Sequence, residues 1–170
     1  MVKSYDLKCI ESKVGYVVIL AGSDSDISHI KKITASLKKY DIPHKAILCS
    51  AHKQPYRLMD IINQYNEANG SLVFIAVAGG TDALSGTLAF HSRYPVISCP
   101  PDAPNQSCLT NPLGSSNAYI QKPENVARFI AQMYSHNPKF RLLLESNVRL
   151  KIESLEEADG KVLEEKLRID

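Results

Sequence analysis

Several runs along the chain are apolar with little interruption: GYVVILAG (15–22), SLVFIAVAGG (71–80) and YPVISCPP (94–101). A strand with one wet face alternates apolar and polar residues. One that is apolar at nearly every position, and rich in β-branched residues, is buried on both faces as in a parallel sheet. IPHKAILCS (42–50) reads as a further strand and NAYI (117–120) as a short fifth. Between these runs the pattern changes to a spacing of three and four. In ISHIKKITASLKKYD (27–41) the apolar positions are Ile27, Ile30, Ile33, Leu37 and Tyr40, which predicts an amphipathic helix with Asp26 as its N-cap. QPYRLMDIINQYNEAN (54–69) predicts a second helix, with Pro55 in its first turn, and DALSGTLAFHS (82–92) a short third. A fourth is expected from Pro123 to about Ser135, after a loop over 102–117 rich in Pro, Asn, Gly and Ser.

Strand–helix alternation of this kind predicts an α/β fold, a parallel sheet with helices on both faces. Residues 1–13 are polar and read as an N-terminal arm or short capping segment, 14–136 as the α/β domain, and 137–170 as a helical tail. The tail pattern predicts one long or broken helix, interrupted near Gly160, packed on its own domain or on a neighbouring subunit. In open α/β sheets ligands bind beyond the carboxyl ends of the strands. The segments leaving the first three strands, Gly22–Asp26, Ser50–Lys53 and Gly79–Asp82, are therefore expected to converge on one site.

Composition narrows the functional classes. At 170 residues the chain suffices for one α/β domain with a real core. A net charge of +2 without a dense Lys/Arg block argues against nucleic acid or a membrane surface as partner. No segment reaches the roughly 20 apolar residues of a membrane helix, and MVKSYDLKCIESK lacks the apolar run of a signal peptide. Cys9, Cys49, Cys99 and Cys108 are scattered, with neither zinc-site nor disulfide spacing, so a cytoplasmic location is expected. His29, His44, His91 and His136 have no ligand-like spacing to Cys, Asp or Glu, so no metal is expected, and His29 and His136 are placed on helix surfaces. The lysine-bearing phosphate loop, G-x-G-x-x-G after the first strand, and G-x-S-x-G are all absent.

The three segments carry more chemistry than turns require. GSDSD (22–26) places the hydroxyls of Ser23 and Ser25 at a helix N-terminus, where unsatisfied N–H groups and the helix dipole favour a phosphate. Asp26 is available to ribose hydroxyls, or simply caps the helix. SAHK (50–53) groups a hydroxyl on Ser50, a proton shuttle on His52 and a cation on Lys53. Histidine exchanges protons near neutral pH, and lysine can hold a phosphate as a point charge. The bland alternative is an exposed loop histidine. AGGTD (78–82) pairs two glycines, which let backbone approach a planar ligand, with Thr81 and Asp82. A glycine-rich turn capping a short helix is its structural alternative.

LAGSDSD, IPHKAILCSAHKQP, VFIAVAGGTDALSG and YPVISCPP, in that order, resemble the PurE family, with its G-S-x-S-D, S-A-H-[RK] and A-G-rich signatures. The likeness runs from about Val14 to Ser135. Lysine after the histidine, together with PVISCPP, resembles the class that carboxylates directly with carbon dioxide, which includes the animal enzyme domain. The resemblance implies a three-layer α/β/α, flavodoxin-like fold and a homo-oligomer, a tetramer in the carboxylase class or an octamer in the mutase class. It implies carboxylation of aminoimidazole ribonucleotide in purine biosynthesis with no metal or organic cofactor. The alternatives are a mutase acting on the N-carboxylated isomer and a non-catalytic nucleotide-binding module. Carried over by position, His52 is the proton shuttle. Ser23 and Asp26 bind ribose phosphate with Ser25 supporting, Ser50 and Lys53 contact phosphate or substrate, and Gly79 and Thr81 line the pocket near the ring and carbon dioxide.

The chain departs from that pattern in three places. Ala78-Gly79-Gly80-Thr81-Asp82 stands where the direct class usually reads A-G-R-S-N. The loop 101–114 is shorter than usual, and Asn111-Pro112-Leu113-Gly114 replaces M-P-x-G or L-P-x-G.

Overall fold

The structure, a computed structural model, describes residues 10–11, 14–102 and 104–167; most of the predicted N-terminal arm lies outside them. Two compact units are distinguished, Met1–Ile130 and Ala131–Asp170.

The first unit is built on five parallel strands in the order β2-β1-β3-β4-β5. They are β1 (Tyr16–Ala21), β2 (His44–Leu48), β3 (Leu72–Val77), β4 (Val96–Ser98) and β5 (Ala118–Tyr119). This is the flavodoxin-like strand order. Helices α1 (Ile27–Lys39), α2 (Pro55–Asn66) and α3 (Ala83–His91) make the crossovers, and α4 (Val126–Met133) follows β5. The uninterrupted apolar runs have the predicted consequence: every residue of β1 and β3 is buried, whereas β2, at the sheet edge, is half-buried. Alternation divides the core into two layers. Val18, Leu20, Phe74 and Ala76 point to one face and pack with Leu58, Ile61, Ile62 and Tyr65 of α2 and Leu84 and Leu88 of α3. Val17, Ile19, Val73 and Ile75 are buried on the other face, where α1 lies. There Ser36 Oγ of α1 donates to Glu124 O at 2.9 Å and accepts from Ala127 N at 3.3 Å, joining α1 to the start of α4.

In the second unit, α5 (Pro138–Leu167) is one continuous helix through Gly160. The expected interruption does not occur. A single glycine costs only about 1 kcal/mol relative to alanine, and the Glu, Lys and Leu residues around it favour helix.

Candidate active site

Sheet register sets where the loops emerge. Ala21 pairs with Leu48 on one side and Val77 on the other, so the three strands end level. The ladder continues one step past them: Gly22 N donates to Val77 O at 3.0 Å, Cys49 N to Ala21 O at 2.8 Å, and Cys99 N to Ala76 O at 2.9 Å. All the outgoing turns therefore leave the same edge, as parallel pairing requires.

The first turn is held by its own side chains. Residues Asp24–Asp26 form a 3₁₀ turn whose N-cap is Ser23, with Ser25 N donating to Ser23 Oγ at 3.2 Å. The Ser25 hydroxyl lies 2.9 Å from Ser23 Oγ and 3.3 Å from Asp26 Oδ1. With one proton, it serves one of them at a time. Asp26 does not perform the expected capping: it makes no side-chain bond to the α1 N-terminus. The inserted 3₁₀ turn moves the capping role back to Ser23, and Asp26 sits buried with its carboxylate beside Ser25.

The second turn is closed by backbone and one hydroxyl. Gln54 N donates to Ser50 O at 2.8 Å and Lys53 N to Ser50 Oγ at 3.3 Å. His52 and Lys53 are exposed at its crest.

The third turn is held from outside. Gly80 has φ +62°, a left-handed conformation that glycine adopts without strain. Gly80 N donates to Asp102 Oδ2 at 2.7 Å, and Asn105 Nδ2 donates to Gly80 O and Asp102 Oδ1, each at 3.0 Å. Asp82 N donates to Ser107 Oγ at 2.9 Å, and Asp82 Oδ1 accepts from Ser85 N at 2.9 Å as the N-cap of α3. Asp82 is thus a buried structural residue. Partial desolvation raises the Asp102 carboxyl, but the donors from Asn105, Gly80 and its own backbone together hold it below the ordinary carboxylate range.

Gly22, Ser23, Ser25, Asp26, Ser50, Ala51, His52, Gly79 and Leu84 line one pocket of about 250 Å³. Six of the eight residues singled out from sequence therefore meet: Ser23, Ser25, Asp26, Ser50, His52 and Gly79. Lys53 and Thr81 lie in the same turns but outside this lining. Ala51 and Leu84 supply its apolar wall, which the sequence reading missed. Leu84, at the second position of α3, reads in sequence only as a core residue, and it is indeed buried. His29 is not on an open helix surface. It is half-buried, with Nε2 3.0 Å from the Cys99 carbonyl oxygen, so that nitrogen carries the proton. Burial holds the His29 pKa below the usual histidine value, against the opposing Cys99 contact. Burial, with the Glu124 carboxylate, pushes the Cys99 thiol up to about 12, an inert side chain at the end of β4.

The AIR carboxylase family model matches residues 16–149, most of the chain. The chain belongs to the AIR carboxylase family. Among proteins with this domain, the phosphoribosylaminoimidazole carboxylase of Treponema denticola is 31% identical over 148 residues, covering 81% of this chain and 93% of the relative. The human bifunctional phosphoribosylaminoimidazole carboxylase/phosphoribosylaminoimidazole succinocarboxamide synthetase is 35% identical over 156 residues, 87% of this chain. The chain spans only 36% of that longer protein. The crystal structure of Treponema denticola PurE superposes with a TM-score of 0.81 at 29% identity, covering 86% of this chain and 98% of the other. The family's sequence pattern therefore runs from β1 into α5. Among the described residues no helix is long and apolar enough to cross a membrane.

Proposed function

We propose that this chain carboxylates the ring carbon of aminoimidazole ribonucleotide with carbon dioxide, giving carboxyaminoimidazole ribonucleotide in purine biosynthesis, and catalyses the reverse decarboxylation. The observation that carries the reading is that an acid, hydroxyls and an imidazole from separate strand ends meet in one pocket, in a chain of this family. Ser23, Ser25, Asp26 and Ser50 are the groups for the ribose phosphate. Lys53, exposed in the same turn as Ser50, is the cation for the phosphate. Gly79 lines the pocket on the side of the ring, and Thr81 follows two residues on in the same turn.

The aminoimidazole is an electron-rich enamine. Its π pair attacks the carbon of carbon dioxide, a carbon–carbon bond forms, and one C=O π pair moves onto oxygen to give the carboxylate. The adduct keeps a proton on the ring carbon. His52 takes that proton, and the C–H pair restores the aromatic ring. In reverse, protonated His52 delivers a proton to the ring carbon before the carbon–carbon bond breaks. Such a positioned acid–base contributes about 100- to 10,000-fold, and holding both reactants in a site that excludes water supplies the remainder. The resemblance further supports a homo-oligomeric assembly, which sedimentation would test.

The test supplies purified protein with aminoimidazole ribonucleotide and bicarbonate, with no ATP-dependent partner enzyme. Formation of the carboxylated ribonucleotide is expected. Gly80, where direct carboxylases usually carry arginine, favours a second reading, the mutase; turnover only with the N-carboxylated isomer would establish it. Binding of ribonucleotide without exchange of the ring-carbon proton would instead identify a non-catalytic binding module.

A further inference from the structure

We propose that Asp102 is a positioning residue for the pocket, its carboxylate fixing the third turn so that Gly79 stands as a defined wall against the heterocyclic ring. This rests on the pocket being a ribonucleotide site. Two consecutive glycines leave a turn conformationally broad, and Gly80 has open space where a side chain would otherwise anchor it. The anchor comes instead from the loop after β4. Both Asp102 oxygens accept hydrogen bonds, one from Gly80 N and one from Asn105 Nδ2, while Asn105 also grips Gly80 O. The N–H and C=O of one residue are thus held together.

The anchor is itself anchored. Asn105 is buried, its Oδ1 accepts from Ser107 N at 2.9 Å, and its own N–H donates to Tyr119 OH of β5 at 3.3 Å. The Asp102 carboxylate also lies against Gly79: a Cβ added there would come within 3.1 Å of Oδ1. Gly79 is the pocket-lining member of the pair, so the carboxylate acts on the wall directly. An acceptor-only group is needed because every contact named for it is a donor. An amide at this position would satisfy one donor and turn its own N–H groups on the other. Charge-assisted bonds of this kind are among the stronger ones available.

Ligand binding separates this role from a merely structural one. Asp102→Ala and Asp102→Asn are compared with the unmodified protein for binding of aminoimidazole ribonucleotide and of ribose 5-phosphate, with thermal melts alongside. The sugar phosphate reports on Ser23, Asp26 and Ser50; only the ribonucleotide needs the Gly79 wall. Asp102→Ala is expected to weaken the ribonucleotide by about 10-fold, and Asp102→Asn by less, with sugar-phosphate affinity and melting temperature nearly unchanged. Equal affinity in all three proteins, or loss of both ligands in parallel, would overturn the proposal. Where Asp102→Ala does not fold, Asp102→Asn decides by the same ratio. Carboxylation by the unmodified protein is read separately: absence of turnover with a selective loss of ribonucleotide binding sinks the enzymatic reading and leaves this one standing.

Discussion

The first and third turns do similar work by opposite means. Gly22–Asp26 is stabilised within five consecutive residues, Ser23 capping the 3₁₀ turn and Ser25 bridging to Asp26. Gly79–Asp82 depends on residues more than 20 positions away, Asp102, Asn105 and Ser107, for nearly every polar contact. A self-contained turn frees its remaining acid for a ligand; a turn clamped from elsewhere uses its acid to hold itself. The two aspartates that close these turns, Asp26 and Asp82, are both buried, yet only Asp82 caps a helix.

The strongest test removes the imidazole that shares the pocket with both turns. His52→Asn is expected to lower ring-proton exchange by about 100-fold or more while ribonucleotide binding stays nearly constant; isotope exchange and equilibrium binding measure the two. Next, Asp26→Asn is expected to weaken ribonucleotide binding by about 10-fold with little change in unfolding free energy, since it removes no cap. Asp82→Ala should do the reverse, lowering stability by about 1 kcal/mol through the lost α3 cap, as read by urea unfolding. If the two aspartates exchanged these outcomes, the contrast between the turns would be broken. The smallest effect concerns His29, beside the first turn. Its pKa is lowered in the folded protein, so below about pH 6.5 the unfolded chain takes up a proton that the folded chain resists. The His29 contribution is therefore present in full above that pH and declines as pH falls towards the lowered folded value. Urea midpoints compared at about pH 7.5 and about pH 5.5 should show it, and His29→Gln should flatten the difference.

This contrast also explains what was legible in the sequence. The buried strands were readable because Tyr16–Ala21 and Leu72–Val77 satisfy a local rule at every position. The three-turn site followed from chain direction alone, since parallel strands must release their loops on one edge. Ser23, Ser25 and His52 were legible because their chemistry and their neighbours are contiguous. An aspartate before a helix reads as a cap at both Asp26 and Asp82; Asp82 does cap α3, whereas one inserted 3₁₀ turn reverses the assignment for Asp26. Asp102, Asn105 and Ser107 lie in a stretch that reads only as polar loop; their function depends on β4 being laid beside β3, which no local pattern encodes. Leu84 was hidden differently, being both core and pocket wall.

The all-parallel pairing has a consequence for how the molecule is made. No two neighbouring strands of the described sheet can nucleate as a hairpin; each contact must wait for a crossover to be spanned, helical for the first three and a loop between β4 and β5, and β1 receives β3 only after β2 and α2 have been synthesised. Early in folding, helices can flicker locally while the sheet is still missing its spine, which places this chain among the slower folders for its size. On the ribosome, a nascent chain halted before Leu72 emerges would expose the apolar length of β1 without its inner neighbour, the interval in which a chaperone has most to protect.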